Sequence, residues 1–232
     1  MTRTGSAPVT TDSAPSPRGG VRALLAAGAA AGPLFLGVGV IQGLTREGFG
    51  FTRNAISQLS LGDLGWIQMT SFMVTGVLII AGAVGMRRVL DDAPGGSWVP
   101  WLIAVFGASF LLCGVFAADA GAGFPAGTPQ GAAGSLSGQG AVHMLGGMAG
   151  FLAWCAASLV LARLFAARGQ RGWVLACRLV PVGVLAGFAG SSATVLAFTA
   201  GAGLGLLWLT AVSARLLADA PSVAAVGRAR PL

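Results

Sequence analysis

Lysine and tyrosine are absent from this 232-residue chain, histidine occurs once and cysteine three times. Each scarcity excludes something. A catalytic zinc centre draws on several His, Cys or carboxylate ligands, so one histidine excludes a three-histidine membrane hydrolase, and likewise haem or quinone carriers with paired axial histidines. Cys113, Cys155 and Cys177 lie inside apolar runs, form no C-x-x-C pair and suggest no disulfide framework; they read as small apolar packing residues. No P-loop or G-x-G-x-x-G precedes a helix in a βαβ setting. No metal and no cofactor are expected. Charge is also scarce: 9% of residues are charged and 55% hydrophobic, against about 25% and 45–50% in soluble domains. Most of this chain cannot face water.

What is there instead is a series of long apolar runs. Six of them, at about 21–43, 65–86, 98–118, 142–164, 173–197 and 200–217, are each long enough to cross a bilayer, and the mean hydropathy is +0.80. The first run resembles a signal peptide, but it exceeds the usual apolar core of about 7–15 residues, so it reads as an uncleaved anchor. The expected class is all-α: a polytopic membrane bundle of six transmembrane helices spanning residues 21–218. A disordered tail is expected at 1–20, rich in Thr, Ser, Pro and Gly, and a second tail at 219–232. The 38 glycines include small-xxx-small pairs such as Gly28/Gly32, Gly183/Gly187 and Gly201/Gly205, which let helix backbones approach closely.

The arginines orient the bundle. Arg3, Arg18 and Arg22 precede the first run, and Arg87 and Arg88 follow the second. Arg163, Arg168, Arg171 and Arg178 surround the fourth connection, and Arg215, Arg228 and Arg230 the end. Only Arg46 and Arg53 fall on the other side. This asymmetry predicts cytoplasmic termini in the plasma membrane. The net charge of +7 is spread along helix ends, where arginine meets anionic lipid head groups, and is not gathered into a nucleic-acid face. Trp66, Trp98, Trp101 and Trp173 sit at span starts, as an aromatic belt requires.

Polar groups gather on the outer side. Residues 44–64 mix Arg46, Glu47, Arg53, Asn54, Ser57, Gln58 and Asp63 with apolar residues, which suits an interfacial helix or a folded-back loop. A Gly/Ala/Pro/Ser loop at 119–141 joins the third and fourth runs. Asp119 ends the third and His143 opens the fourth, so the two are expected at similar depth, within hydrogen-bond or one-water distance. Such a pair is the minimal general acid/base arrangement. Asn54, Ser57 and Gln58 would line the same vestibule. Against this stands a structural role for each: Asp119 anchoring its loop, His143 bonding a backbone carbonyl. Ser57 lacks the G-x-S-x-G context of a nucleophile.

These segments also carry a resemblance. RNAISQLSLGDLGWIQMTSFMVTGVL followed by GMRRVL, then GVFAADAGAGFPAGTP and GAVHMLGG, are similar to the signature of an uncharacterised bacterial membrane family, domain of unknown function 998, common in actinobacteria. The resemblance covers about residues 24–217. It implies a six-helix integral membrane protein and makes Ser57, Gly65, Trp66, Asp119, Phe124, Pro125, Gly127 and His143 motif positions. Trp66 and Phe124 thereby join Asn54, Ser57 and Gln58 as substrate-binding candidates. Two departures stand out: Ala120 follows Asp119 where the family has proline, and the turn before the sixth run lacks the arginine many members carry there.

Three readings of function follow. The first is a non-catalytic protein that binds an apolar or lipid-like small molecule in an outward-facing vestibule, with membrane lipids as its surroundings. The second is an enzyme on a lipid or isoprenoid-like substrate using Asp119 and His143. The third is a small-solute transporter, which lacks the inverted repeats and broken mid-membrane helices of that class. An apolar cavity between the third and fourth runs and the 44–64 segment is expected under the first two.

Overall fold

A computed structural model describes residues 17–90, 96–131 and 135–220. The expected tails at 1–20 and 219–232 lie, but for 17–20 and 219–220, outside the described residues. The chain forms six helices: α1 (Pro17–Thr45), α2 (Gly65–Leu90), α3 (Trp98–Val115), α4 (Gly138–Ala167), α5 (Arg171–Ala189) and α6 (Val195–Asp219). All six are long and apolar enough to cross a membrane, and there is no strand among the described residues. This is an integral membrane protein.

Each helix packs on its neighbours in sequence, and α6 closes the ring against α1. Glycine sets the closest crossings. A side chain at Gly28 would come within 2.9 Å of the Gly82 Cα on α2, and one at Gly187 within 2.8 Å of the Gly201 Cα on α6. In lipid, helices associate through such close packing, because the tails are as apolar as the side chains. At the end where α1 begins and α6 ends, Arg22 donates to the carbonyls of Leu217 (3.1 Å) and Ala220 (3.2 Å). It thereby supplies donors that the last turn of α6 lacks.

Several helix ends differ from the sequence expectation: α1 starts at Pro17 rather than about 21, α2 ends at Leu90 rather than about 86 and α6 starts at Val195 rather than about 200, and three more differ near the site. α3 stops at Val115 rather than Ala118, leaving Asp119 in the loop. α4 starts at Gly138 rather than Val142, because Ser137 caps it by accepting the Gly140 N–H at 2.9 Å, as N-cap serines do. α5 stops at Ala189 rather than Ala197. A short 3-10 turn, Gly190–Ser192, follows, in which Ser191 and Ser192 donate back to the carbonyls of Phe188 and Ala189. Thr194 then caps α6. Apolar residues on both sides of this turn hide it from hydropathy.

These ends make the bundle uneven. Phe151 of α4 stacks edge-on against Phe188 of α5, centroids 5.1 Å apart. Thirteen residues of α4, Gly138–Gly150, precede that level, but only four, Ala189–Ser192, follow it in α5 and its turn. At 1.5 Å per residue α4 overhangs its partner by roughly 13 Å.

Candidate functional site

The end of the bundle away from the start of α1 is roofed by two connections. Residues 46–64 fold back as turns and a 3-10 helix, Ile56–Ser60, which agrees with a folded-back loop. Arg46 organises it, donating to the carbonyls of Leu59 and Leu61, each at 2.6 Å, while its guanidinium lies 4.9 Å from the centroid of the Phe124 ring. Burial pulls this guanidinium below its ordinary value, opposed by the charge of Asp63. Asn54 is fully buried. Its amide donates to Gly121 O at 3.2 Å and its carbonyl accepts from Gly50 N at 3.0 Å. Gln58 donates to Asp119 O at 3.0 Å. The two connections thus form one roof, which reaches the α5–α6 turn where the Thr52 carbonyl accepts from Val195 N and the Thr194 hydroxyl, both at 3.1 Å.

Under the roof lies a cavity of about 650 Å³. Its walls come from all six helices, α2 through Phe72, and from the 56–60 turn, so it reaches further than the expected space between α3, α4 and the loop. The walls are mostly apolar: Phe35, Phe110, Phe151, Phe188, Phe198 and Leu206 among others. Ser57, Gln58, Asp119 and His143 bring polar groups from the roof and the adjoining ends of α3 and α4, and Ser109 of α3, Ser191 of the 3-10 turn and Thr199 of α6 add hydroxyls. Met144 and Met148, on the overhanging part of α4, line it while being 55% and 47% exposed, so the cavity opens beside α4.

Asp119 and His143 both line this cavity, but they do not bond each other. Asp119 sits at the cap of α4, accepting the Ser137 hydroxyl and the Ser137 N–H (3.0 Å). Those two bonds, the hydroxyl first, hold its carboxyl below the usual carboxylate range. His143 lies six residues past that cap, in the second turn of α4, where its Nδ1 is 2.8 Å from Phe116 O. The end of α3 at Val115 is what frees this carbonyl. A carbonyl can only accept, so the ring is the Nδ1–H tautomer and Nε2 carries the lone pair. The extra turn at the start of α4 and the earlier end of α3 therefore give the two side chains different partners, with no hydrogen bond between them.

Of the other candidates, Ser57 and Gln58 line the cavity. Asn54 is consumed in joining the roof. Phe124 is buried in it, 5.3 Å from Phe49. Trp66 is 63% exposed on the flank of the bundle. Sequence reasoning missed the aromatic wall and the methionine face of α4. Met144, Gly147, Met148 and Phe151 recur at helical spacing and were the available signal. It also missed a polar contact at the α1–α2 interface, where Gln42 donates to Gln68 Oε1 at 2.7 Å, both residues being buried.

Residues 29–216 match a family described as "Protein of unknown function (DUF998)". The chain belongs to the DUF998 family. That is the family which the GFP-loop and G-x-x-H segments resembled, and its description assigns no activity. No curated protein and no solved structure matches. For this DUF998 member, chemistry has to be argued from the cavity.

Proposed function

We propose that this DUF998 protein binds an apolar or lipid-like small molecule in the roofed cavity, with the roof on the outer face of the plasma membrane and both termini in the cytoplasm. The observation that carries the reading is the cavity itself. Its roughly 650 Å³ falls within the range of about 300–1,000 Å³ typical of ligand pockets, and its pattern of apolar wall with a few polar groups is typical too. The arginine asymmetry, twelve against two, supports the orientation. Binding is favoured over acid–base catalysis because both carboxylate oxygens of Asp119 are engaged by Ser137.

Native mass spectrometry of protein purified gently from its host membranes tests this. The expected result is one co-purifying amphiphile that is missing from Gly147→Phe, a change that plugs the cavity. Gly147 lines the wall and an added Cβ would meet only Cys113 Sγ, at 3.8 Å. Bulk phospholipid alone, unchanged by the plug, ends the reading. For orientation, the native cysteines are all buried, so cysteines placed singly at Thr128 and Gly172 give a clean contrast. A membrane-impermeant maleimide should label the first in intact cells and not the second; the reverse inverts the bundle.

A further inference from the structure

The cavity's polar end is unusual in what it does not offer. No arginine lines it. The two arginines of the roof are committed to backbone: Arg46 to Leu59 and Leu61, Arg53 to Gly48 O at 3.1 Å. Two helix N-termini adjoin the cavity through Gly140 and Val195, and such termini attract anions. Both are already taken. The carboxylate of Asp119 sits against α4, bonded to Ser137, and the Thr52 carbonyl accepts the Val195 N–H of α6. An incoming phosphate or carboxylate would find no arginine and, beside the start of α4, one resident negative charge.

What the polar end does offer is an acceptor on His143 and the Ser57 hydroxyl; Thr199 Oγ1 on the α6 wall is a second hydroxyl without a hydrogen bond among the described residues, while those of Ser109 and Ser191 donate to the carbonyls of Phe106 and Phe188. His143 is 8% exposed, with Nδ1–H fixed on Phe116 O and Nε2 left as acceptor. The Ser57 hydroxyl lines the cavity and makes no hydrogen bond among the described residues. Resting on the binding function proposed above, we infer that the ligand is a neutral, hydroxyl-headed amphiphile. Its hydroxyl donates to His143 Nε2 and accepts from Ser57, its hydrocarbon lies along the phenylalanine wall, and phosphate- and carboxylate-headed lipids are rejected. A hydrogen bond to a buried group such as His143 discriminates strongly, because the analogue lacking it leaves a buried polar atom unpaired.

The test uses the full chain in nanodiscs and five probes that share a sixteen-carbon chain: hexadecanol, its methyl ether, hexadecyl phosphate, palmitic acid and hexadecylamine. Each competes against radiolabelled hexadecanol. Hexadecanol should bind at least tenfold more tightly than the phosphate, the acid and the ether. In His143→Phe, which keeps a ring but removes the acceptor, the alcohol should weaken about tenfold and become equal to the ether. Ser57→Ala should weaken the alcohol several-fold; its hydroxyl holds nothing in the protein, so it serves if His143→Phe fails to insert. A phosphate, acid or amine binding as tightly as the alcohol overturns the inference. Equal binding of all five overturns it too, while leaving the cavity a binding site. Absence of any binding that Gly147→Phe removes overturns the binding function itself.

Discussion

The two ends of this bundle are built from the same apolar alphabet, yet one is solid and the other hollow. Toward the end where α1 begins and α6 ends, Trp154 and Ala157 are 1% and 0% exposed, Trp208 donates to Ser158 Oγ at 3.2 Å, and Trp173 stacks between Phe165 and Trp208 at 5.3 and 5.2 Å. A gap among Met86, Ile103, Trp154 and Trp208 measures about 10 Å³, no more than one water occupies. At the other end the same helices diverge around about 650 Å³. Close packing is what holds helices together in lipid, so the solid end supplies the cohesion. The hollow end keeps its shape through the roof's backbone-directed hydrogen bonds.

Substitutions should separate the two ends sharply. Trp154→Ala opens a void in the solid end and should cost about 4 kcal/mol, read as a fall in Tm in detergent; a loss under about 1 kcal/mol would mean that end is not the cohesive one. Ala157→Phe overpacks the same region and should cost about 2–3 kcal/mol. The equivalent insertion at the hollow end, Gly147→Phe, should change stability by less than about 0.5 kcal/mol. Equal effects of these two would erase the distinction between the ends.

A smaller effect belongs to the roof. Asp119→Ala removes two hydrogen bonds at the cap of α4 and should cost about 1 kcal/mol near neutral pH. The Asp119 carboxyl is depressed in the folded protein. Its contribution is therefore complete above the ordinary carboxylate value of about 3.9 and disappears as the pH falls through the lower, folded value. Melting curves of wild type and Asp119→Ala should differ at pH 7 and converge in strong acid. A difference that is constant with pH would assign the loss to packing instead.

The comparison also explains what could be read in advance. Six spans were legible because hydropathy over twenty residues is set by the bilayer and depends little on tertiary contacts. The helix ends that govern the site were not. Ser137 and Thr194 carry capping signals, but each lies where small or apolar residues continue on both sides, so the run obscured the cap. Asp119 and His143 both line one cavity without bonding each other. Their different partners follow from α3 ending at Val115 and α4 beginning at Gly138. The hollow itself left no trace in composition, since Phe151 at the cavity and Phe165 in the solid end are the same residue type on the same helix. The Gln42–Gln68 contact needed the α1–α2 register, which no local pattern supplies.

The overhang of α4 has a consequence for how a ligand would arrive. With α4 read as a membrane span, a doorway beside Met144 and Met148 would face acyl chains rather than the aqueous phase. A water-insoluble molecule would reach it by lateral diffusion within one leaflet, never leaving the bilayer. Occupancy would then follow the mole fraction of ligand in the lipid, and the membrane would act as both solvent and reservoir.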